Sequence, residues 1–206
     1  MNKEKLRFPF YILFHPFDGF YELRHREKGS LIVAVLLVFL FGLSFTLNRK
    51  YAGFVVNELN PLYVDSLTDV LGVGIAVLLF SVANWSVTCL MNGEGRFKDI
   101  FMVISYSMLP MVLTFIPATI LSWFIAADEE SIYYLIKAVA IVFFIALLLI
   151  GIMTVHGYSF GKTLLTMLLT FIAAILIIFI ALLLAYLVTQ IISFFRSIYT
   201  ELIIRV

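Results

Sequence analysis

Charged residues are unusually few in this sequence. Only 13% of its 206 residues are charged and 63% are hydrophobic, whereas a soluble globular chain has roughly 25% charged and 45–50% apolar residues. A soluble protein of this size could not bury so much apolar surface. The same figures exclude disordered, collagenous, coiled-coil and disulfide-rich classes. The single cysteine, Cys89, permits no disulfide within the chain, and a net charge of +1 supplies no basic field for nucleic acid.

What the sequence does contain is long apolar runs. A bilayer core about 30 Å thick requires about 20 apolar residues of helix. Five runs meet this requirement, at residues 31–47, 70–90, 100–127, 132–155 and 163 to about 186. The sequence therefore predicts an all-α polytopic membrane protein with a five-helix membrane domain at 31–186. Pro110 and Pro117 lie in the third run and predict kinks in its helix.

The distribution of Lys and Arg predicts the orientation of the chain. Segments 1–30, 91–99 and 156–162 fall on one side of a five-span protein and hold nine of the 14 Lys and Arg residues. Such residues accumulate on the cytoplasmic side. We therefore expect the N-terminus in the cytoplasm, the C-terminus outside and a multi-pass protein of the cell (plasma) membrane.

The first 30 residues are predicted to be a cytoplasmic interfacial segment. Aromatic residues crowd positions 8–21 beside lysines and arginines, and Asp18 is suited to the start of a short helix. Two interpretations stand: an anchor lying among lipid headgroups, or a docking surface for a partner. The candidate contacts are Phe14, Pro16, Phe17, Phe20 and Tyr21.

Residues 187–206 are predicted to form an amphipathic C-terminal helix. Their polar residues recur at steps of three and four, which places them on one helical stripe. The fifth helix could continue outward or bend to lie in the outer interface, and an amphipathic interfacial helix is the default interpretation. The alternative is a protein-docking helix, with Arg196 and Tyr199 as candidate contacts.

Polar side chains also occur inside the predicted spans. The candidate cluster comprises Asn84, Thr88, Ser105, Tyr106, Ser107 and Thr166. Polar groups in lipid pair with one another, so the cluster indicates inter-helix packing. The alternative is the path of a small transporter or channel, although no carboxylate joins the cluster. Lys137 in the fourth run is expected to extend its amine to the outer surface.

Residues typical of catalysis are missing from the pattern. His15, His25 and His156 are scattered and lack clustered carboxylates or cysteine, so we predict no metal site. Residues 157–163 resemble a phosphate loop, but they are one residue too short and follow a membrane helix instead of a strand. We therefore predict no catalytic residue, no cofactor and no enzymatic activity.

Short motifs flank the predicted spans over most of the chain. They are Phe14-His15-Pro16-Phe17-Asp18-Gly19-Phe20, Lys28-Gly29-Ser30, Asn92-Gly93-Glu94-Gly95-Arg96-Phe97-Lys98, Tyr106-Ser107-Met108-Leu109-Pro110 and His156-Gly157-Tyr158-Ser159-Phe160-Gly161-Lys162. In these motifs the chain resembles the Yip-domain family, the Ypt/Rab-interacting membrane proteins. The resemblance implies five helices, a cytoplasmic N-terminus and no known catalytic activity. Eukaryotic members of the family associate with small GTPases in membrane trafficking.

The short N-terminal region is more similar to the bacterial branch of that family. Bacterial relatives are often encoded beside carbohydrate ABC importers. The resemblance therefore implies an accessory or regulatory subunit, with an ABC importer permease as the expected protein partner. A small transporter and a membrane-shaping or trafficking-type protein are the alternatives.

Overall fold

Helices make up all the regular structure in the described part of the chain. The computed structural model describes residues 3–57 and 60–204. Two short 3-10 turns, Pro61–Tyr63 and Ala127–Glu129, precede longer helices. The eight α-helices are α1 Lys3–Phe14, α2 Pro16–His25, α3 Leu31–Tyr51, α4 Ser66–Leu90, α5 Phe97–Ser107, α6 Leu109–Leu121, α7 Glu130–His156 and α8 Phe160–Ile204.

Five segments are long and apolar enough to cross a membrane. They are Leu31–Tyr51, Ser66–Leu90, Phe97–Leu121, Ala127–His156 and Phe160–Glu201. The predicted all-helical fold and the predicted number of spans are thereby confirmed. Which terminus faces the cytoplasm stays a prediction.

The third span consists of two helices. α5 ends at Ser107 and α6 begins at Leu109, with Met108 between them. Pro110 lies in the first turn of α6, where its missing N–H costs no helical hydrogen bond. The predicted kink at Pro110 coincides with this break, whereas α6 runs through Pro117 without interruption.

The bundle has two ends, because successive spans alternate in direction. We call the end that holds α2 and the connections 91–96 and 157–159 the motif face. We call the opposite end, with residues 51–57, 60–65 and 122–129, the far face. Between them α3 packs against α4 and α6, α5 packs against α7, and α4 packs against α8.

The two N-terminal helices are part of the bundle core. Ile12, Phe20 and Leu23 are fully or almost fully buried, and α2 packs against α7. Gly19 permits the close crossing of α1 and α2, because a Cβ there would lie 2.6 Å from Cγ1 of Ile12. α2 begins at Pro16 and not at Asp18, since proline suits the first turn of a helix.

This burial corrects one predicted partner contact. Phe20 has no exposed surface, so it stabilises the bundle and is not available to an external partner. The interfacial placement of 1–30 stays a prediction, and it now concerns only the outward side of these helices. An amphipathic helix buries its apolar side against the core, and Phe20 lies on that side of α2.

α8 continues far beyond the packed bundle. It is one uninterrupted helix of 45 residues, about 68 Å long at 1.5 Å per residue. Every residue from 178 to 201 is exposed. Of the two courses left open for this stretch, the described chain follows the continuous one, because the apolar helix of the fifth span passes into the amphipathic stretch without a break.

Candidate functional site

Arg24 joins three parts of the chain at the motif face. From α2 its Nη1 donates to the carbonyl oxygen of Val155 at 2.5 Å, and its Nη2 donates to Oε2 of Glu94 at 2.7 Å. A cation at the last turn of α7 also favours the negative end of that helix. This hydrogen bond from Arg24 lowers the pKa of the Glu94 carboxyl.

His156 holds the 91–96 connection against the end of α7. The backbone N–H of Gly95 donates to His156 Nδ1 at 3.2 Å. Cβ atoms at Gly93 and Gly95 would lie only 2.6 Å from ring atoms of His156, so larger residues would displace this connection. His156 Nε2 is buried and has no hydrogen-bond partner in the described part of the chain.

Tyr158 closes the same corner. Its ring stacks on His156 at 5.2 Å between centroids, and its hydroxyl donates to the carbonyl oxygen of Met91 at 3.2 Å. The ammonium of Lys162 lies 4.1 Å from the centre of the Tyr158 ring. Burial raises the pKa of the Tyr158 hydroxyl. The turn that presents Tyr158 requires Gly157, whose φ is +65°.

Charged residues surround this corner in compensating pairs. Asp99 is buried and accepts from Nε of Arg96 at 2.9 Å, and this bond raises the pKa of Arg96. Glu27 accepts from Lys98 and from Arg96, each at 3.3 Å. These bonds lower the pKa of Glu27. The motif face is thus a structural junction of opposite charges.

The predicted intramembrane cluster does not form one connected network. Ser105, Ser107 and Thr166 donate to carbonyl oxygens of their own helices at 2.7–2.8 Å. Thr88 does the same at 3.0 Å, and the Tyr106 hydroxyl bonds the backbone of Ser30.

Within the described residues, Asn84 is the one member of the cluster whose side chain bonds a side-chain hydroxyl on another helix. Its Nδ2 donates to Oγ1 of Thr170 on α8 at 3.0 Å, and its Oδ1 is buried without a partner. The nearby cavity of about 240 Å³ is lined only by apolar residues, among them Val77, Ile104 and Leu148. The geometry supports packing between α4 and α8 more directly than a polar path.

Lys137 points inward, which contradicts the prediction that it reaches the outer surface. Its Nζ donates to Asn48 Oδ1 at 2.8 Å and to the Tyr133 hydroxyl at 3.3 Å. Asn48 in turn donates to Oγ1 of Thr119 at 2.8 Å. Three helices, α3, α6 and α7, therefore meet in a polar network near the far face. Asn48 and Tyr133 offer the amine hydrogen-bond acceptors inside the bundle, in place of water at the surface. These acceptors come together only when the chain folds.

The remaining predicted contacts lie on two separate surfaces. At the motif face Phe14, Phe17 and Tyr21 are exposed, and Pro16 is half-buried. Arg196 and Tyr199 are exposed on the last part of α8. The structure does not bring these two surfaces together.

Several structural residues were missed by the sequence interpretation. Arg24 and Glu94 are ordinary charged residues by sequence, and no pattern marks them as partners. Asn48 carried a weak signal, because an amide near the end of an apolar helix needs hydrogen-bond partners when it is buried. The motifs gave a stronger signal, since His156, Gly95 and Tyr158 all belong to them.

The arrangement offers packing and charge pairing more than chemistry. Within residues 3–57 and 60–204, no group of three or more His, Cys, Asp or Glu side chains could hold a metal ion.

The family model for the Yip1 domain matches residues 10–197. No curated protein and no solved structure shows significant similarity to the chain.

Proposed function

Because the chain belongs to the Yip1 domain family, we propose that this integral membrane protein is a non-enzymatic accessory or regulatory subunit of a larger membrane complex. It docks on another integral membrane protein through the part of α8 that leaves the bundle. We place the complex in the plasma membrane, with the motif face in the cytoplasm.

One observation carries this proposal: the unpartnered length of α8. The helix is about 68 Å long, whereas a bilayer with its headgroups is about 40–45 Å thick. Its start at Phe160 lies at the motif face, so its last turns extend past the lipid on the far side. No other described part of the chain covers residues 178 to 201, and the apolar side chains of the last turns therefore lie past the lipid without cover.

The pattern of this exposed part favours a helical partner. Val188, Ile191, Phe195 and Ile198 recur at steps of three, four and three residues, and between 40% and 64% of each is exposed. This is the spacing of a coiled-coil seam. Ser193 and Arg196 lie on the opposite side of the helix. A helix of a neighbouring membrane protein would cover the apolar seam and leave the polar stripe in water.

The partner class that we propose is the permease of an ABC importer for carbohydrate. The support for this class is the resemblance of the motifs to the bacterial branch of the family. The exposed seam supports a helical partner in general.

Affinity capture from native membranes in mild detergent tests the proposal. We expect a stoichiometric membrane partner with the full-length protein and loss of that partner from Phe195→Glu. Ser193→Glu is the matched control, because it adds the same charge on the polar stripe and should retain the partner. Both sites lie outside the packed bundle, so neither substitution should change the unfolding temperature.

Three results would contradict this function. Recovery of the partner by both variants would remove the seam from the interface. Recovery of only a second copy of the chain would replace the partner with self-association. Substrate flux in liposomes that contain only this protein would favour the transporter alternative.

A further inference from the structure

The two N-terminal helices form a hairpin that turns at His15. α1 ends just before this residue and α2 begins just after it. The start of α1 and the end of α2 lie together at the other end of the hairpin, where Lys5, Glu22 and Arg26 line one cavity. The two helices therefore run in opposite directions. We call residues 14–17 the hairpin tip, and we call the end with the cavity the open end.

The contacts of α2 show which way the tip points. Cζ of Phe20 lies 3.0 Å from the position that a Cβ on Gly151 of α7 would occupy. Arg24, four residues later, bonds the carbonyl oxygen of Val155, which is also four residues later. α2 therefore runs in the same direction as α7, towards the motif face where α7 ends. The tip comes before Phe20 and points the other way, along the membrane spans.

The contacts of α1 show how far the tip reaches. The ring of Phe8 lies 6.2 Å from that of Tyr106, and α1 also packs against α6. α6 begins at Leu109, which is 12 residues after the third span starts at Phe97, or about 18 Å along the helix. The span ends 12 residues later, at Leu121. α1 thus reaches about the middle of a membrane span.

The charges of the hairpin agree with this depth. At the open end Glu22 accepts from Arg26 at 2.8 Å and from Lys28 at 2.7 Å. Between residues 8 and 21 the one Asp, Glu, Lys or Arg is Asp18. It lies in the first turn of α2, where free backbone N–H groups favour a carboxylate. Charge therefore collects at the open end and is scarce towards the tip.

The turn itself is suited to an apolar surrounding. A chain within lipid has to bond its backbone polar groups internally. The N–H of His15 donates to the carbonyl oxygen of Tyr11 at 2.9 Å, and its carbonyl oxygen accepts from the N–H of Gly19 at 2.8 Å. Pro16 has no N–H that needs a partner. The residue that links the two helices thus has both of its backbone groups bonded.

The outward surface of the tip is aromatic. Phe14 is 75% exposed and Phe17 is 54% exposed. In water, grouped apolar side chains of this size would be a liability. Halfway along a membrane span the surrounding medium is the acyl chains of the lipid, where exposed apolar rings have no such cost. The depth of the tip, and not the exposure alone, identifies lipid as the cover of these rings.

We propose that α1 and α2 form a re-entrant hairpin, which enters the bilayer from the motif face and returns to the same face. Its tip lies among the acyl chains of that leaflet, and lipid is the partner of Phe14 and Phe17. The open end stays at headgroup level, where Arg24 pairs with Glu94. The hairpin therefore enlarges the cross-section of the protein in one leaflet only. This insertion is independent of the apolar seam on α8.

Fluorescence quenching in the full-length protein tests the hairpin. The protein is placed in lipid nanodiscs, which leave both membrane faces open to water. The native tryptophans are replaced by Trp85→Phe and Trp123→Phe, and one reporter is then added at a time. Phe14→Trp and Phe17→Trp place the reporter at the tip, on α1 and on α2. His25→Trp, at the end of α2, is the matched control at the open end.

Two quenchers distinguish lipid from water. Lipids brominated on their acyl chains quench from within the bilayer, and iodide quenches from the aqueous side. We expect the brominated lipid to quench both tip reporters several-fold more strongly than His25→Trp, and iodide to do the reverse. All three reporter positions are exposed, so the unfolding temperature should not change between the variants.

Two results would overturn the proposal. If iodide quenches the tip reporters as strongly as His25→Trp, the hairpin lies on the membrane surface. If the tip reporters are shielded from both quenchers, protein covers the tip in place of lipid. Agreement between Phe14→Trp and Phe17→Trp is required for support, since the two reporters lie on either side of the turn.

Discussion

Replacing Phe20 by alanine tests whether the N-terminal helices belong to the bundle core. The ring is fully buried, and its Cζ lies 3.0 Å from the position that a Cβ on Gly151 of α7 would occupy. Removing a buried Phe side chain costs about 3–5 kcal/mol of unfolding free energy. A tenfold change in an equilibrium constant corresponds to about 1.4 kcal/mol. We therefore expect the unfolding equilibrium constant to rise by a factor of about 100 to several thousand.

Phe17→Ala is the matched control for this measurement. Phe17 lies on the same helix, three residues away, and is 54% exposed, so its loss should change stability by no more than about 0.5 kcal/mol. The measurement is a titration of both variants in mixed micelles, with the fluorescence of the two tryptophans reporting unfolding. Equal effects of the two substitutions would refute the packing of α2 against α7. They would restore the interpretation of the N-terminal segment as a surface anchor.

Three further predictions concern packing and charge in the bundle. Gly151→Ala should destabilise the protein by about 1–3 kcal/mol through overpacking, because its Cβ would lie 2.5 Å from Cγ1 of Val103; an unchanged unfolding temperature would contradict this contact. The hydrogen bond from Arg24 lowers the pKa of Glu94. This bond therefore stabilises the folded protein at any pH above the ordinary pKa of 4.5, and the stabilisation is lost as the pH falls through the lowered pKa. The stability difference between the protein and Glu94→Gln should therefore be present at pH 7 and vanish in acid, and a difference that grows in acid would be inconsistent with this pair. Asn84→Leu should change stability by less than about 1 kcal/mol, since it removes one hydrogen bond of about 0.6 kcal/mol together with a buried unpaired oxygen; a loss of several kcal/mol in an unfolding titration would show that more than packing depends on it.

The spans were predictable because membrane helices follow a one-dimensional rule. About 20 apolar residues without charge satisfy the thickness of the bilayer wherever they occur in the chain. That rule identified all five spans. Pro110 likewise predicted an irregularity at the break between α5 and α6, because proline has no backbone N–H and cannot donate a helical hydrogen bond. α6 continues through Pro117, and the kink predicted there stays a prediction.

The N-terminal helices were less predictable. Phe17 and Phe20 have the same chemistry and lie three residues apart, yet one is exposed and the other is buried. The sequence contains no signal that separates them. Gly151 on α7 provides the space for Phe20, and the approach of α7 to α2 is a property of the folded bundle.

The direction of Lys137 was also decided by the fold. A lysine six or seven residues into a span can reach the membrane surface, and by sequence that outcome is the less expensive one. Asn48 and Tyr133 instead hold the amine inside the bundle. Asn48 precedes Lys137 by 89 positions, so no local pattern joins the two residues.

The sequence by itself determined that this is a five-span helical membrane protein of the Yip1 domain family, because hydropathy and short motifs are properties of neighbouring residues. The tertiary structure alone decided that the motifs converge on one face, that Lys137 points into the bundle and that the end of α8 lies outside the packed helices. These features depend on contacts between residues far apart in the chain. Such contacts arise only when the helices pack and their side chains compete for the same space and the same hydrogen bonds.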